Sequence, residues 1–218
     1  MIVVENLDLL GKGTQKLVYA YPEDDGKVIK IMRPENATAD GGRATQHHLR
    51  SHRHQGIYRQ FRRELLQYLQ LCKNHYSQNQ YIFPIETVHG FIGTNQGLGL
   101  VTEKIISPTG QSLTLEHLLI KGLYGDEQQQ ALARFFDDCC DFHVVFGEIN
   151  IGGIMYTEQR QGRPEFVLVD GIGEKLLIPF RSMSKSINTK NIRKVEQRIY
   201  QDIIEYQTKL KIKKNSLF

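Results

Sequence analysis

Tryptophan is absent from the 218-residue chain, and cysteine occurs only three times. The cysteines are Cys72 and the adjacent Cys139 and Cys140. An odd count with two neighbours argues against a disulfide framework and for a reducing compartment, so a cytoplasmic location is expected. No apolar run approaches the roughly 20 residues that span a bilayer. The first ten residues carry Glu5 and Asp8 and lack a basic stretch, so a secretory signal is not expected. Hydrophobic residues at 40% and charged residues at 24% exclude the disordered, collagenous and coiled-coil classes. The length suits one ordinary domain or two small lobes.

Charge of one sign is confined to one end. The net charge is +4, but residues 181–218 hold 10 Lys+Arg against 3 Asp+Glu, and the remainder is net acidic. The basic balance belongs to the tail, so a nucleic-acid-binding core is not expected.

Val18 to Met32 reads as a β-hairpin, two apolar strands around a turn at Pro22, Asp24, Asp25 and Gly26. Ahead of it stands the glycine-containing turn Leu10-Gly11-Lys12-Gly13-Thr14. Residues 33–56 are polar and loop-like. Phe61, Leu65, Tyr68, Leu69 and Cys72 recur at helical spacing. Tyr81 to Lys104 predicts strands, Tyr81 to Ile85 and Leu98 to Thr102, with a turn at Gly93-Thr94-Asn95. Leu113 to Ile120 predicts a short helix. Asp126 is placed as the cap of the next helix, whose face carries Leu132, Phe135, Phe136, Cys139 and Phe142. A strand runs from Phe166 to Asp170. The tail from Ile192 has helical spacing through Val195, Ile199, Ile203, Tyr206 and Leu210. This order gives an α+β layout with a boundary near 105–110.

Four features bear on chemistry. Glycines at 11 and 13 let a backbone turn approach phosphate oxygens, or simply make a hairpin turn; Lys16 stands where a third glycine would complete a phosphate-binding loop. Lys30, inside Val28-Ile29-Lys30-Ile31, faces solvent on an edge strand or meets an anion. Glu64 borders the apolar face of its helix and pairs with Lys30 or with a neighbouring Arg or Gln. Asp170, before Gly171-Ile172-Gly173, either opens a turn or holds Mg²⁺ against phosphates. Glycines, strand lysine, helical glutamate, loop and strand-end aspartate come in the order that phosphoryl transfer uses for positioning and charge neutralisation.

The segments Leu10-Gly-Lys-Gly-Thr, Tyr19-Ala-Tyr-Pro-Glu-Asp24, Ile29-Lys30-Ile31, Arg62-Arg63-Glu64-Leu65 and Asp170-Gly-Ile-Gly-Glu174-Lys-Leu-Leu-Ile-Pro179 together resemble the YrbL family of PhoP regulatory network proteins, within the protein-kinase-like superfamily. The likeness runs over about residues 8–186. It implies a bilobal kinase-like fold: a β-rich N-lobe (1–105) with a His/Arg-rich insert at 33–56, and a short, mainly helical C-lobe (106–218) with a basic C-terminal helix. It also implies a cytoplasmic bacterial protein that binds ATP and Mg²⁺. Gly11, Gly13, Val18, Lys30 and Glu64 would hold the nucleotide. Val101 to Ile105 would form the adenine hinge, with Glu103 and Ile105 at the base and Thr102 beside it. Asp170 would hold metal.

The loop Phe146-Gly147-Glu148-Ile149-Asn150-Ile151-Gly152-Gly153 departs from the related pattern His-Gly-Asp-Leu-His-x-x-Asn. Glu148 stands for the proton-accepting aspartate, and Gly153 for the metal-binding asparagine. Asn150, three residues earlier, is the compensating metal ligand. The resemblance therefore implies either phosphorylation of an unidentified hydroxyl acceptor or a pseudokinase that binds a regulatory partner. His47, His48, His52 and His54 read as a basic insert, with a zinc site as the alternative. Ser182-Met-Ser-Lys185 is a chance Ser-x-x-Lys match. The basic tail docks on the C-lobe by its apolar stripe, membrane-surface contact being the less economical alternative.

Overall fold

The computed structural model describes residues 1–44, 55–147, 149–175 and 178–215. The histidines at 47–54 and Glu148 lie outside the described residues. The fold is α+β, with a β-sheet first part and a mainly helical second part. Two compact units form: Met1–Leu69 with Thr87–Lys104, and Gln70–Glu86 with the chain from Ile105 onward.

The first unit is an antiparallel sheet of five strands, β1 (Leu9–Lys12), β2 (Lys16–Ala20), β3 (Lys27–Met32), β4 (Val88–Thr94) and β5 (Gly97–Glu103), in the order β1-β2-β3-β5-β4. Alternation along β2 and β3 sends successive side chains to opposite faces. Tyr19, Ile29, Ile31 and Val101 pack one face against Val4. Met32 and Leu100 pack the other against Ile57 and Phe61. Phe61 belongs to helix α1 (Arg59–Asn74), so this second face is the helix face. At Gly99, opposite Ile31, an added Cβ would lie 2.6 Å from Ile29 Cγ2; only glycine lets the strands pack so closely.

The hairpin between β4 and β5 turns at Asn95 and Gln96, two residues beyond the expected start of the turn. Tyr81 to Ile85 is not a strand. Pro84 has no N–H to give to a ladder, and the segment is held by its carbonyls instead. Leu168 N donates to Pro84 O (3.0 Å), and Arg160 donates to Phe83 O (3.0 Å) and Ile85 O (3.2 Å).

The second unit holds a small sheet, β6 (Leu113–Thr114), β7 (Ile154–Thr157) and β8 (Glu165–Leu168), with helices α2 (Leu115–Lys121), α3 (Asp126–Asp141), α4 (Phe180–Met183) and α5 (Lys185–Asn215). Thr114 caps α2, its Oγ1 accepting from His117 N at 3.1 Å, and Gly122 ends it in the left-handed region. Gly125, not Asp126, occupies the cap position of α3; Asp126 is the first helical residue, where its charge suits the helix N-terminus. Leu132, Phe135, Phe136 and Cys139 bury the inner face of α3. Helix α5 packs on α3 and buries Ile192, Val195, Ile199 and Ile203, the apolar stripe of the basic tail. Among the described residues no helix is long and apolar enough to cross a membrane.

Candidate functional site

The register places the first group of residues. Val18 is opposite Lys30, Lys16 opposite Met32, Gly11 opposite Val18, and Thr102 opposite Val28. Opposed residues share a face, so Gly11, Lys16, Val18, Lys30 and Thr102 all lie on the helix face. Lys16 and Lys30 are diagonal neighbours there and both are buried.

Glu64 reaches this face from α1. Its cation is Lys16, not the expected Lys30: Lys16 Nζ lies 2.7 Å from Glu64 Oε1. Both side chains are buried, and Glu64 Oε2 has no hydrogen-bond partner among the described residues. Thr102 is fully buried, and its Oγ1 also has none. Buried polar atoms are nearly always satisfied, so these two stand out on this face. Lys16, read from sequence only as a missing glycine, is the residue that reasoning passed over. The signal was present, since Lys16 and Val18 are two apart on one strand and Val18 faces Lys30.

Gly11 and Gly13 do not have positive φ. A Cβ at Gly11 would make ordinary contact with Val18 Cβ at 3.6 Å, so the conformation does not demand glycine. The turn is tied to β2 and to the residue after β3: Gly13 N donates to Lys16 O (2.9 Å), and Arg33 donates to Gly13 O (3.0 Å). Glu103 N donates to Thr87 O at 2.9 Å, and Ile105 O accepts from Ser112 Oγ at 3.1 Å. Those two backbone groups of the expected hinge are thus already engaged.

The second group lies in the second unit. Asp170 stands two residues beyond β8, and its Oδ1 accepts from Gly171 N at 2.8 Å. Gly171 (φ 77°) and Gly173 (φ 88°) both occupy the left-handed region. This lets the chain double back: Gly147 N donates to Gly171 O and Gly173 N to Val145 O, each at 2.8 Å. The chain before residue 148 is therefore paired with the chain after Asp170.

Asn150 and Asp170 flank Gly153. A Cβ at Gly153 would lie 3.5 Å from Asp170 Cβ and 3.7 Å from Asn150 Oδ1. Asn150 Oδ1 accepts from both Gly152 N and Gly153 N at 3.0 Å. That oxygen already closes the turn, so Asn150 does not fit a metal ligand without breaking it. Asp170 does fit. Among the described residues no three His, Cys, Asp or Glu gather as a metal cage. Magnesium needs no such cage, because it usually keeps water and phosphate oxygens beside one or two carboxylates.

The first unit thus offers a sheet face with two buried lysines and a helical glutamate, and the second an aspartate before a doubled-back glycine turn. The family described as PhoP regulatory network protein YrbL matches residues 2–204, and the chain belongs to that family. Among curated proteins none matches. The chain is similar to solved kinase domains of Mycobacterium tuberculosis PknI in two double-mutant forms. One is 13% identical with a TM-score of 0.39, covering 76% of this chain and 59% of that domain. The other is 12% identical with a TM-score of 0.44, covering 81% and 64%. The chain thus spans less than two thirds of either domain. At these identities and scores the likeness says nothing of what this chain binds.

Proposed function

We propose that this YrbL-family chain is a kinase-like ATP-binding protein, with Lys16 and Lys30 directed at nucleotide phosphates. The observation that carries this is the burial of two lysines on one sheet face, with a glutamate committed to one of them. A lysine is buried at low cost only where its ammonium meets anionic or polar groups, and a phosphate suits the face that carries these two. Glu64 orients Lys16. Asp170 would hold Mg²⁺, which when bound neutralises phosphate charge. In the transfer reading, the γ-phosphorus leaves the β,γ-bridging oxygen and bonds to an acceptor hydroxyl, whose proton passes to Glu148. The acceptor is a small molecule, a sugar or a protein. Three free cysteines, Cys139 fully buried with its thiol pushed well up by desolvation, support a cytoplasmic location.

A second reading is a pseudokinase that binds nucleotide or a regulatory protein without transfer. It is favoured by Gly153, which has no side chain to ligate metal, and by Asn150, whose oxygen is already used. Calorimetry with ATP·Mg²⁺ tests the shared claim. Binding to wild type that is lost in Lys30→Ala and weakened in Asp170→Asn supports it; no binding to wild type sinks it. Turnover that disappears in Glu148→Gln selects transfer, and tight binding without turnover selects the pseudokinase.

A further inference from the structure

The second unit carries a cavity of about 580 Å³ between helix α5 and the chain around Gly147 and Lys175. Its lining includes Lys175, Arg181, Lys194 and Arg198, and among the described residues no carboxylate lines it. Arg181 is neutralised beside it by Glu174 and also donates to Phe146 O at 3.0 Å. It is a wall of the cavity rather than a hook. Arg198 gives one N–H to Ile149 O, which fixes its guanidinium and leaves the rest of the donor fork for another acceptor.

The α5 side of the cavity is one stripe of a helix. Asn191, Lys194, Arg198 and Gln201 follow at spacings of three and four, so their side chains lie on one face. Asn191 adds an independent sign. Its Nδ2 is buried and has no acceptor among the described residues. A buried donor without an acceptor is costly, and because Asn191 lines the cavity, a turn of its amide brings Nδ2 to a ligand oxygen. On the opposite side, the stem of Lys175 lies over Gly147; a Cβ there would come within 2.6 Å of Lys175 Cδ. Glycine at 147 makes room for that lysine to run along the wall.

We propose that this cavity is a binding site for a small phosphorylated polyol or sugar. Lys194 and Arg198 take the phosphate, and the amides of Asn191, Gln197 and Gln201 take the hydroxyls. The cavity volume falls within the roughly 300–1,000 Å³ of small-ligand sites. A surface that merely tracked an acidic protein would not need convergent amides or a buried unsatisfied donor. The site stands on its own donors and does not depend on nucleotide binding by the first unit.

The test is calorimetry on the full chain without nucleotide, at about 0.15 M salt so that charges more than about 8 Å apart are screened, using glycerol 3-phosphate, inorganic phosphate and glycerol. Glycerol 3-phosphate is expected to bind more tightly than inorganic phosphate, and glycerol not at all. Lys194→Glu should weaken glycerol 3-phosphate by about tenfold or more, since it replaces a charge-assisted donor with a repelling charge. Asn191→Leu should weaken it while leaving the net charge untouched. Lys209→Glu lies on the same helix, well beyond the cavity and exposed, and should change the affinity by less than about twofold if a defined site is at work. Circular dichroism on each variant checks that it is folded. Equal losses in Lys209→Glu and Lys194→Glu would reduce the cavity to a diffuse positive field and overturn the proposal. So would the absence of heat with glycerol 3-phosphate, or a phosphoserine peptide that binds more tightly than it.

Discussion

Lys16 Nζ and Glu64 Oε1 form a buried ion pair 2.7 Å apart, between residues 48 positions apart in the chain. The Glu64 side chain is 0% exposed and that of Lys16 only 7%. Removing one partner strands the other charge in the interior, which typically costs about 3–5 kcal/mol. Urea denaturation should show this loss in Lys16→Met and in Glu64→Leu. The double variant Lys16→Met/Glu64→Leu should recover most of the stability, because neither charge is then buried. If the double variant is as unstable as the sum of the singles, the pair is not coupled.

The doubled-back turn after Asp170 rests on two glycines in the left-handed region. A Cβ in that conformation costs about 1–2 kcal/mol. Gly171→Ala and Gly173→Ala should each lower the unfolding free energy by that order. Gly11→Ala, at an ordinary φ and with open contact to Val18, should stay within about 0.5 kcal/mol. Equal losses at all three positions would contradict the backbone account.

Asp138 gives a pH dependence. Desolvation by burial raises its carboxyl above the usual range, while Arg163, at 3.9 Å, opposes this only in part. A carboxyl with a raised folded-state value binds its proton more tightly when folded. Its destabilising effect is absent at acid pH, develops as pH rises through the unfolded value, and is complete above the folded one. Asp138→Asn should therefore raise Tm at pH 7, with the gain shrinking to nothing as pH falls below the ordinary aspartate range. Because Asp138 is partly exposed, the gain is small. A gain that is constant with pH would mean the charge is not its source.

Arg160 holds the segment 80–86 by donating to Phe83 O and Ile85 O. Arg160→Met removes both bonds, each worth about 1.5–3 kcal/mol where one partner is charged. Hydrogen exchange should then speed up at Glu86 and Leu168, whose amides bond within the same junction. Unchanged protection at both amides would show that Arg160 does not secure it.

Much of this molecule can be read from residue order. The hairpin of β2 and β3, the apolar face of α3 and the stripe of α5 follow from local periodicity, because burial of one face imposes a period of 2 or 3.6 on the sequence. The same periodicity placed Lys30 inside an apolar strand and Glu64 at the edge of a helix face. It misread Tyr81 to Ile85. Those residues have strand composition, but Pro84 withholds a donor and Arg160, far along the chain, claims two of their carbonyls.

By itself the sequence determined which faces are apolar, where the charged residues interrupt them, and that the positive charge collects in the tail. Tertiary structure alone decided how those charges are used. Two lysines share one sheet face, and packing rather than pattern selects Lys16 for Glu64. Asn150 is a plausible ligand by composition, yet its oxygen closes a turn on Gly152 and Gly153. The basic tail is simply cationic as a sequence; as a packed helix it aligns Asn191, Lys194 and Arg198 along one cavity. Periodicity fixes the side of an element on which a residue lies. Which partner it meets there depends on residues distant in sequence, brought close only when the chain folds.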